Sequence, residues 1–318
     1  MTEGLKITPS ATIDQGEVSQ ITELVHLAEA RDGFSALNEA ALLHLRHPRS
    51  GVRHILARQR GELVGYAQLD STTSASIGQL VVGPQWRQSG IGSALLVTLI
   101  SLSSSPLRIW AMGNSVAARA LAASHGLLPA RELLIMTRSL TDPVAEPAPP
   151  ADIVIRPFVV GQDEGAWLTV NARAFRHHPE QGRLTRSDLE DRLAEAWFDP
   201  AGFFVATRAD QMIGFHWTKQ HPERLGEVYV LGVDPGAGGQ GLGKALLVRG
   251  LEYLQQRGNV VVELYVESDH SQAISLYRGY GFTVASRDVM YAQPRPEASK
   301  RSAPGERNHG QGQHLQEN

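Results

Sequence analysis

The stretch Gly226 to Leu247, GEVYVLGVDPGAGGQGLGKALL, decides the fold. Gly226 to Asp234 is apolar and rich in Val and Tyr, the composition of a buried strand. Pro235 ends that strand because it cannot donate to a ladder. Gly236, Gly238, Gly239, Gly241 and Gly243 then crowd a short loop. Leu242, Leu246, Leu247, Leu251 and Leu254 follow at helical spacing. A strand, a glycine loop and a helix start in succession make an anion site. Bare backbone N–H groups can close on a phosphate, and the helix dipole favours its charge. The order is GxxGxG, so this is not the dinucleotide fingerprint GxGxxG. It is not a P-loop either, since no Gly-Lys-Ser/Thr follows.

The stretch occurs twice. Leu80-Val-Val-Gly-Pro84 precedes Leu231-Gly-Val-Asp-Pro235 by 151 residues. At the same offset Gly90-Ile-Gly92 matches Gly241-Leu-Gly243, and Ala94-Leu-Leu96 matches Ala245-Leu-Leu247. Three separated matches at one offset imply two copies of one domain of roughly 150 residues, an ordinary domain size.

A Val-x-Pro strand end followed by xxGxG resembles the acetyl-coenzyme A loop of the GCN5-related N-acetyltransferases. The first loop, Arg87-Gln-Ser-Gly90-Ile-Gly92, has that family's full Arg/Gln-x-x-Gly-x-Gly pattern. The second has Gly238 in place of the Arg or Gln, which predicts weaker phosphate binding. The resemblance implies a mixed α/β (α+β) fold. Each of two tandem domains is expected to be a mostly antiparallel central sheet flanked by helices.

Composition bounds the rest. The chain has 318 residues, 42% hydrophobic and 20% charged, with net charge −3. That suits a soluble globular protein with room for two cores. No Lys/Arg run argues for nucleic acid. There is no cysteine, hence no thiol nucleophile or thiolate metal site. No apolar run approaches the ~20 residues of a membrane span, and the N-terminus lacks the build of a signal peptide. A cytoplasmic monomer without nucleic-acid or membrane partners is expected.

Taken in order, helices are predicted at Gln15–Arg31 (capped by Asp14 with Glu17), Leu37–His47, Gly92–Ser103 and Ser115–Ser124. Strands are predicted at Arg53–Arg58, Leu63–Leu69, Ser76–Val82, Leu107–Ala111 and Glu132–Arg138. This is a domain over residues 1–140. Residues 141–151, TDPVAEPAPPA, carry four prolines in eleven positions and read as an extended linker. The second domain, 152–292, repeats the scheme. Helices are predicted at Asp163–Phe175, Ser187–Trp197 and Ser271–Tyr280, besides the long one after the glycine loop. Strands are predicted at Ile153–Phe158, Phe203–Thr207, Met212–Lys219, Val260–Glu267 and Thr283–Tyr291. Residues 293–318 are polar and are expected to form a disordered tail.

Acetyl transfer by direct attack needs a base to deprotonate the ammonium and an acid for the departing thiolate. In the family the base is often a carboxylate on the central strand, and the acid a Tyr in the late helix. Glu227 opens the central strand where alternation favours an apolar or neutral residue. Tyr277 lies in Ala273-Ile-Ser-Leu-Tyr277-Arg-Gly-Tyr-Gly281-Phe282, which fits the family's Ala-x-x-Leu-Tyr-x-x-x-Gly-Phe. The offset sets Ser76 against Glu227, and the first copy's late helix, Asn114 to Leu127, offers Leu121 or Ala122 where Tyr277 should be. The second copy is therefore expected to be the catalyst. The first is expected to bind acetyl-CoA without turnover or to shape the substrate site.

Phe175-Arg-His-His-Pro-Glu-Gln-Gly182, Glu195-Ala-Trp-Phe-Asp-Pro200, Gly214-Phe-His-Trp-Thr-Lys219, Gly226 to Pro235 and Leu264-Tyr-Val-Glu-Ser-Asp269 resemble the mycothiol synthases. That family acetylates the cysteinyl amine of a cysteine–glucosamine–inositol conjugate, with acetyl-CoA as co-substrate. The resemblance implies substrate contacts at Glu39, Glu180, Lys219, Glu227 and Tyr265, with Glu39 reaching across from the first copy. It implies acetyl-CoA contacts in the first copy at Leu80, Val81, Val82, Gln88, Ser89, Gly90, Ile91, Gly92 and Ser93. In the second copy they fall on Leu231, Gly232, Val233, Gly238, Gly239, Gln240, Gly241, Leu242, Gly243, Lys244, His270, Ser271, Gln272, Ala273, Ile274 and Ser275. His270 stands where the family has Asn. His177-His178 predicts no metal site, since adjacent side chains diverge and no third ligand is evident. Other amines, or an acetyl-CoA sensor without turnover, are the competing readings.

Overall fold

The computed structural model describes residues 4–72, 75–141, 151–178 and 181–294. All but the ends of the expected linker, nearly all of the expected tail, and Glu180 lie outside them. The first half runs β1 (Leu5–Ser10), α1 (Gln15–Asp32), α2 (Glu39–Arg46), β2 (Val52–Gln59), β3 (Glu62–Asp70) and β4 (Ser76–Val82). It continues with α3 (Ile91–Leu102), β5 (Leu107–Ala111), α4 (Val116–Ser124) and β6 (Leu128–Ser139). The second half runs β7 (Val154–Pro157), α5 (Glu164–Ala174), α6 (Arg186–Leu193), β8 (Phe203–Arg208), β9 (Gln211–His221) and β10 (Leu225–Val233). It ends with α7 (Leu242–Gln256), β11 (Val261–Glu267), α8 (Ser271–Gly279) and β12 (Thr283–Ala292).

Local chemistry sets these boundaries. Asp14 accepts the Glu17 N–H at 2.8 Å, and Glu17 reaches back to the Asp14 N–H at 3.2 Å. This capping box starts α1, and Gly33, at φ +80°, stops it. Strand β1 was not anticipated. It is short, carries Pro9 and pairs only with β2. Proline is tolerated there because an edge strand has one side free of the ladder. The opposite edge, β7, carries Pro157 for the same reason.

All twelve strands form one sheet in the order β1-β2-β3-β4-β5-β12-β6-β11-β10-β9-β8-β7. The order is symmetric about the β12–β6 pair. The last strand of each half pairs with the parallel strand of the other: β12 with β5, and β6 with β11. The antiparallel β12–β6 ladder, from Thr283↔Thr137 to Ala292↔Leu128, joins them. Separating the halves would break this ladder and bury no replacement for its N–H and C=O groups.

Each half has apolar layers on both faces of its sheet. In the first, α3 packs Ile91, Leu95 and Leu99 on one face, while α1 and α2 pack Ile21, Leu24 and Leu45 on the other. In the second, α7 packs Leu246, Leu251 and Leu254. Its other face is aromatic, with Trp167, Phe203, Phe215 and Trp217. The Phe203 and Trp217 rings stack at 4.3 Å. Burying such rings is the largest hydrophobic contribution a side chain can make.

Two clefts follow from the pairing. β10 and β11 pair in parallel only from Leu225↔Val261 to Val228↔Leu264. β4 and β5 pair only from Ser76↔Leu107 to Gly78↔Ile109. Beyond those points the parallel strands part, and among the described residues the inner edges of Val230–Val233 and Gln79–Val82 have no strand partner.

Candidate active site

The two glycine loops have one backbone shape. Arg87 and Gly238 share φ −68°, ψ 163°. Gln88 and Gly239 are left-handed at φ +59° and +81°, and so are Gly90 and Gly241 at +85° and +80°. Gly90 and Gly241 open α3 and α7 and, among the described residues, no side chain caps either helix start. The first N–H groups of such helices can hold a pyrophosphate. The Arg87 side chain does not join them. Its guanidinium makes a two-pronged bond to Asp32 at 2.7 and 2.8 Å. The step from Arg87 to Gly238 therefore removes an ion pair with α1 and leaves the loop backbone unchanged.

Leu231 to Val233 lie on the free inner edge of β10, and Gly238 to Lys244 form the loop and the start of α7. His270 caps α8, with Nδ1 accepting the Ala273 N–H at 3.2 Å, and Ser271 to Ser275 form the start of that helix. The imidazole thus replaces an Asn in a role both side chains can fill, that of an N-cap acceptor. Leu80 to Val82 and Gln88 to Ser93 occupy the same places in the first half.

Glu227 is not an exposed strand-end carboxylate; it is 7% exposed. It faces Lys219 across β9 and Glu263 across β11. His221 Nε2 lies 2.6 Å from Glu227 Oε2 and 3.9 Å from Glu263 Oε1. One nitrogen and two carboxylate oxygens from these three side chains fall within 4.8 Å of one another. Burial first, and Glu227 second, raise the Glu263 carboxyl above its ordinary value.

Glu39, at the first turn of α2, does reach the second half. Lys219 Nζ donates to Glu39 Oε1 at 2.5 Å, and the Tyr229 hydroxyl donates to Glu39 Oε2. Arg192 Nε donates to the Tyr229 oxygen at 2.8 Å. Lys219 also lies over the Trp197 ring at 4.6 Å. Burial alone would raise the Glu39 carboxyl; Lys219, Tyr229 and Arg192 overcome it and hold the group below its usual value.

Tyr265 lies two residues beyond Glu263 on the same face of β11 and is 45% exposed. Burial, then Glu263 and Glu227, push its phenol up. Tyr277, on α8, is 8% exposed, and burial pushes its phenol up to about 12. Such a phenol is protonated at neutral pH. Glu39, Lys219, Glu227 and Tyr265 are thus gathered between the halves, while Glu180 lies outside the described residues. His177 and His178 part: His177 bonds Arg176 at 2.9 Å, and His178 Nδ1 accepts the Gln181 N–H at 2.9 Å.

The first half differs at one residue of register. β10 bulges at Tyr229, between Val228 and Val230, whereas β3 and β4 pair without a shift. The bulge adds a residue, so the counterpart of Glu227 is Ile77, not Ser76 as the constant offset suggested. Ser76 is fully buried and bonds Ser105 at 3.1 Å, beneath α3. Ile77 lines the cleft between the halves, beside Asn38, Gln79 and Arg192. No carboxylate stands at either position.

Sequence reasoning missed His221, Tyr229, Arg192, Trp197 and Glu263. Three of them carried a signal. His221 alternates with Lys219, Tyr229 with Glu227, and Glu263 with Tyr265, so each pair shares a strand face. Arg192 and Trp197 reach the site through tertiary packing alone.

Two bare helix starts beside two parted strands, on this sheet, define an acyltransferase of tandem build. The profile of the Acetyltransferase (GNAT) family matches residues 21–127 and 171–282. Acetyltransferases of this fold use acetyl-CoA, and the paired loops and open strand edges suit it. A mycothiol acetyltransferase of Streptomyces scabiei is 48% identical over 292 residues, 90% of this chain and 94% of its own. That of Thermomonospora curvata is 48% identical over 88% of this chain and 95% of its own. The chain belongs to the GNAT family, among the mycothiol acetyltransferases. In fold it is similar to a tandem GNAT protein from the clavulanic acid biosynthesis pathway, with TM-score 0.73 and 20% identity over 92% of this chain and all of that one. Among the described residues no helix is long and apolar enough to cross a membrane.

Proposed function

We propose that the second half transfers the acetyl group of acetyl-CoA to the cysteinyl amine of the cysteine–glucosamine–inositol conjugate, giving mycothiol. Glu227 takes a proton from the substrate ammonium. The freed nitrogen attacks the thioester carbon, the C–N bond forms, and the C–S bond breaks. Tyr277 gives its proton to the departing thiolate, and the second proton that the nitrogen sheds as the amide forms passes to solvent, from which the phenol is reprotonated. Backbone N–H groups on the free inner edge of β10 are suited to hold the carbonyl oxygen as it gains charge. Glu39, Glu180, Lys219 and Tyr265 hold the sugar and inositol hydroxyls from both halves. The first half retains an acetyl-CoA loop without turnover, and the chain works as a cytoplasmic monomer.

The observation that carries this reading is the buried Glu227, on the last paired residues of β10 before that strand leaves β11. A base placed there meets an amine entering between the halves. The test is acetyl transfer from acetyl-CoA to the conjugate beside a panel of peptide and polyamine amines. Turnover confined to the conjugate supports the reading. Turnover on another amine overturns the substrate, and coenzyme A binding with no turnover overturns the enzyme.

A further inference from the structure

Glu227 and Glu263 face each other directly on adjacent strands. Directly opposed side chains have Cβ atoms about 5 Å apart, and like charges there destabilise a sheet. Both carboxylates are largely removed from water, with Glu227 the more buried. Opposed carboxylates drawn out of water favour, as a rule, a state with one proton between the two. A general base must be the one that is ionised, so something has to break the tie.

His221 is placed to break it. It is the last residue of β9, pairs with Leu225, and its side chain shares a face with Lys219 and Glu227. The hairpin behind it, Pro222–Arg224, is unusual. Glu223 and Arg224 are both left-handed, at φ +61° and +63°, without being glycine. That strained turn follows His221, which is 28% exposed, with Nε2 within hydrogen-bond distance of Glu227 and 1.3 Å farther from Glu263 (3.9 Å against 2.6 Å).

We propose that His221 selects Glu227 over Glu263 as the base: its ring N–H binds the Glu227 carboxylate and leaves the shared proton on Glu263. This rests on Glu227 being the base. His221 is a positioning residue; it acts on the amine only through Glu227. Other charged groups face the trio from each neighbouring element. Lys219 on β9 is committed to Glu39, Tyr265 follows on β11, and Asp288 on β12 accepts the Gly113 N–H at 2.7 Å. From the turn, Arg224 is directed to the Gly258 carbonyl at 2.8 Å. Of these groups only His221 hydrogen-bonds Glu227. The raised Glu263 carboxyl agrees with the assignment.

The test is the pH profile of kcat/KM for the amine in four proteins: wild type, His221→Leu, Glu263→Gln, and the two changes together. His221→Leu is expected to lower kcat/KM at pH 7 by about twofold or more and to move the acid limb upward, since the proton now spreads over both carboxylates. Adding Glu263→Gln removes the competitor and is expected to restore most of the rate and the position of the limb. A purely structural histidine would give neither the shift nor the rescue. An unshifted limb in His221→Leu, or a double variant no better than the single, overturns the proposal. So does wild-type activity that a chelator abolishes and a divalent cation restores, because a cation would then hold the three groups. Glu227→Gln is run alongside. If it leaves turnover intact, the base assignment itself has failed. If it abolishes turnover while His221→Leu changes nothing, only the selecting role has failed.

Discussion

The two halves share a loop and differ in what stands behind it. Loop conformation agrees at Arg87 and Gly238, at Gln88 and Gly239, and at Gly90 and Gly241, although the residues at the first two pairs differ. A phosphate loop is thus a backbone object, tolerant of the residues that build it. The reactive groups are not so tolerant. One bulge at Tyr229, a carboxylate where the first half has Ile77, and a phenol where it has Leu121 or Ala122 separate the half assigned the chemistry from its copy. The first half is drawn into the site by another route, through Glu39 on α2, which Lys219 and Tyr229 bind.

The comparison can be broken at several points. The largest effect is expected from Glu227→Gln, which is isosteric and removes the base. Acetyl transfer should fall by about 10²–10⁴-fold, with acetyl-CoA affinity by calorimetry unchanged. Tyr277→Phe should cost less, on the order of 10- to 100-fold in kcat, because solvent can protonate a thiolate slowly. Its melting temperature should hold, since the ring packing on Phe282 is kept. Glu39→Gln should raise KM for the amine severalfold and lower stability by about 1–3 kcal/mol, since Lys219 and Arg192 lose a buried partner. Denaturant unfolding checks the second value.

Each half also buries a histidine, His54 in the first and His216 in the second, and burial pushes both down to about 4. A depressed histidine is neutral in the fold and charges in the unfolded chain below about pH 6.5. The unfolded state then binds more protons, so stability is complete above 6.5 and is lost as pH falls towards 4. Melting temperature between pH 7 and 4.5 should drop accordingly, and His54→Gln should flatten the slope. The smallest effect belongs to Arg87→Gly, which gives the first loop the residue of the second. It removes a partly exposed ion pair with Asp32, worth less than about 1 kcal/mol. Acetyl transfer should not change.

Much of this was legible in the sequence where the signal is local. The run from Gly226 to Leu247, the capping box at Asp14 and Glu17, and the alternating strands repeat short-range rules, and the helices and strands fall within a few residues of expectation. What was not legible is what distance decides. β1 is short and carries Pro9, so it forms only because β2 offers an edge. The exchange of β6 and β12 depends on two segments more than 140 residues apart finding each other. A constant offset cannot see a bulge, so it set Ser76 rather than Ile77 against Glu227. Of the site, Glu39, Lys219, Glu227 and Tyr265 were named and are brought together, while Arg192 had no local mark.

The central claim is that one half does the chemistry and the other does not. The direct measurement is the rate of acetyl transfer to the cysteine–glucosamine–inositol conjugate, at subsaturating acetyl-CoA, in the matched variants Gly241→Asp and Gly90→Asp. Aspartate tolerates the left-handed backbone better than most residues and sets a negative charge at the anion site. The account predicts that Gly241→Asp loses at least tenfold in rate while Gly90→Asp stays within twofold of wild type. Equal losses, or a loss confined to Gly90→Asp, would contradict it.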